Sequence, residues 1–264
     1  MTERLIKLKG SNLNENDHEI EANNLIFGKN AVREYLKQSK CSILYILSSH
    51  RENYFEIIKK ATDNDIRVLY KDNLFFEKHL KGLNHQGIAI LTSGEAIDLK
   101  SEKELFDFCD SNLSEQEVFL ILDSINDVGN LGAILRSALL FGVKHIILPK
   151  DNSAPVNSTV IKRSSGAAGH LNIYSITNLI RVIDKLKQSG FWIYGTDMGG
   201  VPVHKEKFAP RSAIIMGNEG KGMRDLVKKN CDIILSIPTN GEIDSLNVSV
   251  SAGIILYEKY KSNL

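Results

Sequence analysis

VFLILDSINDVGNLGAILRSALLFGVKHIIL, residues 118–148, reads as strand, loop, helix and strand in that order. Val118 to Leu122 is an unbroken apolar run, the pattern of a strand buried on both faces, and it ends at Asp123. A polar loop, Ser124 to Gly129, leads to Asn130, which is placed to cap a helix running to Phe141 with Gly142 as its stop. His145 to Leu148 is the next strand. A strand, helix and strand joined by short loops form a parallel βαβ unit.

The same grammar continues toward the C-terminus. Thr177 to Ser189 reads as a helix stopped by Gly190, and Phe191 to Tyr194 as a strand ending at Gly195-Thr196. Strands at Ala213 to Met216 and Ile233 to Ile237 bracket a helix near Met223 to Lys229. A last helix starts about Leu246, with Val248, Ala252, Ile255 and Leu256 as its apolar stripe. Residues 117–264 are therefore expected to form an α/β domain with a mostly parallel sheet.

Toward the N-terminus, residues 24–95 alternate short strands and helices and read as a small α/β domain. Ser42 to Leu47, Ile66 to Tyr70 and Gly87 to Thr92 are its strands, and Asp72 is placed to cap a helix ending at Leu80. Residues 96–116 read as a linker, with one helix at Ser101 to Asp110, and residues 1–23 as a flexible tail rich in Asn, Glu and Lys.

Composition narrows the function. The 264 residues carry 33 Lys and Arg against 32 Asp and Glu, so a nucleic-acid partner has to be met by a local basic patch. Candidates are Lys29 and Arg33, Lys162 and Arg163, and Lys221 and Arg224. The cysteines Cys41, Cys109 and Cys231 are far apart and lack metal-ligand spacing, which argues against a disulfide framework or a zinc site and for a reducing cytoplasm. No run approaches the roughly 18 apolar residues of a membrane span, and the N-terminus has no export signal.

Open parallel sheets bind ligands at the carboxyl ends of their strands. Four such ends carry polar or glycine-rich loops: Asp123 to Asn130, Gly195-Thr196, Met216 to Gly222, and Ile237 to Asn247. Gly217-Asn218-Glu219-Gly220-Lys221-Gly222 spaces its glycines as the reverse of the dinucleotide fingerprint and lacks the Gly-Lys-Ser/Thr of a phosphate loop. It is either a tight turn or a backbone cradle for a ligand. Arg136 lies in an apolar helix, an arrangement that calls for an anionic partner such as a phosphate or Glu219. Ser245 and Asn247 are placed to cap the last helix or to point at a ligand. The histidines are scattered and none is assigned to catalysis; His85 is expected to satisfy a local hydrogen bond.

Three motifs in this order, Leu122 to Ala138, Met216 to Met223 and Ile237 through Ser251, resemble those of the SpoU/TrmH family of RNA ribose 2′-O-methyltransferases. Phe27-Gly28-Lys29-Asn30-Ala31-Val32 and His85-Gln86-Gly87-Ile88-Ala89 resemble the substrate-binding domain of the branch that modifies ribosomal RNA. The resemblance implies a trefoil-knotted α/β domain of the SPOUT type, with the loop from Ile237 to Asn247 and the helix after it as the threaded segment. It implies S-adenosylmethionine held by Thr196, Gly217, Ile237 and Leu246, and Arg136, Asn130, Glu219, Ser245 and Asn247 as catalytic residues, with no metal. It also implies a homodimer acting on a guanosine ribose of large-subunit ribosomal RNA. A transfer-RNA ribose methyltransferase, an antibiotic-resistance methyltransferase and a non-catalytic ribosome-assembly protein of the same fold are the alternatives. A nicotinamide dehydrogenase is disfavoured by the missing fingerprint. One departure stands in the first motif, where Val128 follows Asp127 in place of the family's usual proline.

Overall fold

The computed structural model describes residues 24–37, 41–92, 97–111, 113–241 and 245–262; the expected tail at 1–23 lies outside them. The first unit consists of β1 (Leu25–Phe27), α1 (Lys29–Tyr35), β2 (Cys41–Leu47), α2 (Phe55–Asp63), β3 (Arg67–Lys71), α3 (Asn73–Leu80) and β4 (Ile88–Thr92). Its sheet has the order β1-β4-β2-β3, with only β2 and β3 parallel. Asp72 caps α3, accepting from the amide of Phe75 at 3.0 Å.

The second unit begins earlier than the sequence suggests. Residues 100–111, expected within a linker, form β5 (Lys100–Ser101) and α4 (Glu102–Ser111), the latter matching the helix expected at Ser101 to Asp110. The remaining elements are β6 (Glu117–Leu122), α5 (Val128–Leu140), β7 (His145–Pro149), α6 (Ser158–Arg163), β8 (Asn172–Ile176), α7 (Leu179–Gln188), β9 (Trp192–Pro202), β10 (Arg211–Met216), α8 (Asp225–Lys229), β11 (Ile233–Ser236) and α9 (Val248–Lys261). β5 completes the sheet edge beside β8, and α4 buries Leu105 and Cys109. That burial is why the stretch is ordered despite its polar composition.

The large sheet has the order β11-β9-β10-β6-β7-β8-β5, and all its pairings are parallel. Successive residues of β6 face opposite layers. Leu120 and Leu122 pack with Leu131, Ile134 and Leu135 of α5, while Phe119 and Ile121 pack with Leu105 of α4 and Val182 of α7. Leu131, Ile134 and Leu135 are fully buried, and each stabilises the fold by at most about 1.5–3 kcal/mol. The apolar cluster on the α5 side runs on into the small unit through Ile26, Val32 and Tyr35. In α9 the buried residues include Val248, Ala252, Ile255 and Leu256, the stripe expected from the sequence.

From β6 the chain lays down β7 and β8 on one side, then crosses to β9 on the other side and returns to place β10 between β9 and β6. The switch point therefore lies between β6 and β10, where Met216 pairs with Leu122, so Asp123 and Gly217 leave the sheet side by side. Among the described residues, no helix is long and apolar enough to cross a membrane.

Candidate active site

Local capping decides how the first loop presents its side chains. Asp127, rather than Asn130, caps α5, accepting from the amide of Asn130 at 2.7 Å. The helix begins earlier than expected, so Asn130 sits inside its first turn and its side chain is not used as the cap. Val128 occupies the first helical position, the place in a helix where proline is best tolerated.

The loop after β10 closes on itself. Asn218 and Gly222 exchange backbone hydrogen bonds at 2.9 and 2.8 Å, and Oδ1 of Asn218 accepts from the amides of Gly220 and Lys221. Its Nδ2 donates to the carbonyl of Ser124 at 2.9 Å, tying this loop to the one after β6. A Cβ on Gly217 would fall 2.3 Å from the amide nitrogen of Met223, so only glycine permits this path. Behind the loop, Asp123 is fully buried, and Arg224 donates to it from its backbone nitrogen at 3.0 Å and from Nε at 2.8 Å. Arg224 thus neutralises a buried carboxylate, the compensation such a charge requires.

The three loops meet in one polar cluster. Nδ2 of Asn130 donates to Glu219 at 3.2 Å, and Nδ2 of Asn247 donates to Oδ1 of Asn130 at 3.0 Å and to Glu219 at 3.2 Å. Oδ1 of Asn247 faces the other way and caps α9, accepting from the amide of Ser249 at 2.9 Å. The cluster holds Glu219 with two side-chain amides, and Arg136 is not its partner. Arg136 stands six residues after Asn130, about 240° round the helix, and its Nη1 donates to Oγ of Ser165 at 3.2 Å.

Beside the cluster lies a cleft of about 630 Å³. Thr196, Gly217, Ile237 and Leu246, the four residues expected to hold the cofactor, all line it, as do Glu219 and Ser245. The hydroxyl of Thr196 is turned away, donating to the carbonyl of Ile215 at 3.0 Å, which leaves its backbone and methyl group to the cleft. Met216, Leu235, Val248 and Ile255 make the apolar floor. Among the described residues Ser245 makes no hydrogen bond to the polar cluster. Sequence reasoning missed Asp197, whose carboxyl is held below the ordinary carboxylate range by the hydrogen bond from Lys228. It also missed Asn218; an Asn in a glycine-rich turn is the signal that could have found it. Among the described residues no group of three or more His, Cys, Asp or Glu is placed to hold a metal ion.

Of the basic residues singled out for RNA, Arg33 pairs with Glu56 at 3.2 Å and Arg224 with Asp123. Lys162 donates to the carbonyl of Asn84 and sits 4.8 Å from the centre of the Phe27 ring. Arg163 and Lys221 remain exposed. Nδ1 of His85 accepts from the amide of Gly87 at 3.0 Å, the local role expected of it.

Comparison with known proteins matches this architecture in both units. The model of the SpoU rRNA methylase family matches residues 117–257, and that of the RNA 2′-O ribose methyltransferase substrate-binding domain matches residues 25–97. The chain is 42% identical, over 88% of its length and 93% of the relative's, to the 23S rRNA (guanosine-2′-O-)-methyltransferase RlmB of Neisseria meningitidis. It is 35% identical, over 89% of its length and 95% of the relative's, to the protein of the same name from Xylella fastidiosa. Among solved structures, the SpoU methyltransferase AviRb from Streptomyces viridochromogenes, in complex with AdoMet, shares the fold with a TM-score of 0.74 at 20% identity, over 90% of this chain and 89% of that one.

Proposed function

The chain belongs to the SpoU rRNA methylase family, and from that premise we propose that it transfers a methyl group from S-adenosylmethionine to a ribose 2′-hydroxyl in RNA. The observation that carries this reading is the cleft formed by β9, the ends of β10 and β11 and the start of α9, lined by Thr196, Gly217, Ile237 and Leu246, beside the Asn130–Glu219–Asn247 cluster through the shared Glu219. Its volume is in the range of small-molecule sites, and its mixture of apolar floor and exposed loop backbone suits a nucleoside with a polar tail. S-adenosylmethionine supplies a sulfonium methyl group; the C–S bond breaks as the O–C bond forms, and the hydroxyl proton leaves.

The protein's part is placement. Glu219, fixed by two amides, and Ser245 in the cleft lining orient the ribose, while Asn247 ties Glu219 to the start of α9. The guanidinium of Arg136 has donors only and no acceptor, so it acts as a cation and hydrogen-bond donor rather than as the base. It binds the phosphate of the target nucleotide and aligns the hydroxyl, whose proton passes to that phosphate or to water. The names of the relatives support a guanosine of large-subunit ribosomal RNA as the target, and with it a cytoplasmic site of action.

A homodimer completes the reading. Val250 and Tyr257 of α9, Tyr260 near its end and Leu140 of α5 are exposed apolar residues, the kind of surface that a second copy would cover. Pairing through this face brings residues of both protomers near one site, which suits an Arg136 lying outside its own chain's cleft lining. The trefoil knot, threaded by the loop from Ile237 to Asn247, belongs to the same proposal.

Mapping ribose methylation in ribosomal and transfer RNA from cells lacking the protein tests the target. Loss of one 2′-O-methylguanosine in large-subunit RNA is the expected result; a loss in transfer RNA moves the target. Calorimetry that finds no S-adenosylmethionine binding, or wild-type methylation by Arg136→Ala with RNA binding unchanged, removes the corresponding part of the mechanism.

A further inference from the structure

Residues 162–170 touch both units at once. On one side Lys162 leaves α6 to reach the small unit, where its ammonium donates to the carbonyl of Asn84 and lies over Phe27. Its side chain passes so close to Gly28 that a Cβ there would sit 3.2 Å from it. Burial and the neighbouring Arg163 lower the pKa of Lys162, the mark of a lysine drawn out of water. On the other side Oγ of Ser165 accepts from Arg136 at 3.2 Å.

These two contacts are mechanically joined. The amide of Ser165 donates to the carbonyl of Lys162 at 2.9 Å. Close packing clamps the segment between helices of the two units: a Cβ on Gly132 of α5 would lie 2.4 Å from Cβ of Arg163, and one on Gly166 would lie 2.6 Å from Cβ of Glu34 of α1. Glu34 also pairs with His170 at 3.0 Å. Ser165 itself has φ +54°, a conformation that glycine would adopt at lower cost. What serine adds there is a hydroxyl facing Arg136.

We propose that this segment couples the docking of the substrate-binding unit to the orientation of Arg136, with Lys162 as the pin between the units and Ser165 as the positioning residue for the guanidinium. The inference rests on the reading that Arg136 meets the phosphate of the target nucleotide. RNA that engages the small unit then sets, through Lys162 and Ser165, the geometry of a residue on α5 that the small unit does not itself hold.

Ser165→Gly separates positioning from structure, because it relieves the backbone and deletes the acceptor. The expected result is a melting temperature equal to or above wild type, kcat on RNA lower by about tenfold or more, and an unchanged KM for the methyl donor. Ser165→Asn keeps an acceptor in a conformation that asparagine tolerates, and restores most of kcat. Lys162→Met keeps the aliphatic stem and removes the pin, so amide exchange in residues 26–32 and 84–88 of the full chain accelerates severalfold. Lys162→Met also lowers kcat on RNA, and in the double variant the two losses fall short of their product, as they do for residues acting on one element. Wild-type kcat in Ser165→Gly, unchanged exchange in Lys162→Met, or losses that multiply independently would each overturn the proposal. If the wild-type protein methylates no RNA, the proposed function fails, while the exchange measurement still decides whether Lys162 pins the units together.

Discussion

Nδ2 of Asn247 donates to Oδ1 of Asn130 across 3.0 Å, joining residues 117 positions apart in the chain. The same side chain turns its oxygen to the amide of Ser249 and so starts α9. One asparagine thus serves a helix terminus and a polar cluster with opposite ends of a single amide group.

Substitution separates the two roles. Asn247→Ala removes both, and is expected to cost about 1 kcal/mol of stability together with at least a tenfold loss of methyl transfer. Asn247→Ser keeps a good capping residue but not the donor to Asn130 and Glu219. Denaturant unfolding of this variant should stay near wild type, while its methyl transfer falls as far as that of the alanine variant. If turnover followed stability in both variants, the cluster would have no part in the reaction.

Gly217→Ala places a methyl group against the backbone of Gly222 and Met223, which has no rotamer by which to give way. The loop must shift, at a cost of roughly 1–3 kcal/mol. Calorimetry should show S-adenosylmethionine affinity at least tenfold weaker, with the circular dichroism of the folded chain retained.

Acid should weaken the fold through His145. This residue is buried between Phe108, Phe119 and Tyr174, and its Nδ1 lies 3.1 Å from the Tyr174 hydroxyl. Burial holds its pKa below the ordinary 6.5, with Lys100 and Lys144 adding to the effect and Glu117 opposing it. The unfolded chain therefore takes up the proton first, so stability present above about pH 6.5 is lost as the pH falls below it. Urea midpoints measured from pH 8 to pH 5 should decline, and His145→Phe should flatten the decline. Some slope remains in that variant because burial lowers the pKa of His85 in the same direction.

Val128→Pro should be harmless or helpful. Asp127 has φ −88° and ψ 124°, the extended conformation that a following proline demands, and the first helical amide needs no acceptor. Thermal unfolding is expected to show a gain of up to about 1 kcal/mol, with turnover unchanged. A destabilised variant would mean that the side chain of Val128 contributes more packing than a proline ring can replace.

Much of this arrangement was legible in the order of residues. β6 and β10 are buried on both faces, so they appear as unbroken apolar runs, and the loops at their ends follow directly. Thr196, Gly217, Ile237 and Leu246 reach one cleft because parallel strands put all their carboxyl ends on one edge of the sheet. The capping of α5 was not legible: Asp127 and Asn130 are both good caps, and only packing chooses between them. Nor was the direction of Arg136, since an apolar helix with one charge does not say which neighbour the charge will face. Lys162 illustrates the same limit. Its sequence context suits a solvated basic patch, and only the approach of Asn84 and Phe27 from another unit turns it into an internal contact.

α9 begins at Asn247, in the polar cluster, and its later turns carry the exposed rings of Tyr257 and Tyr260. If a second copy covers those rings, occupancy of the cleft and self-association become two ligations of one rigid rod. Thermodynamic reciprocity then fixes their relation: the factor by which the methyl donor tightens the dimer equals the factor by which dimerisation tightens the donor. The dissociation constant of the dimer, measured by sedimentation with and without donor, is thereby a measurement of the site made from the far end of a helix.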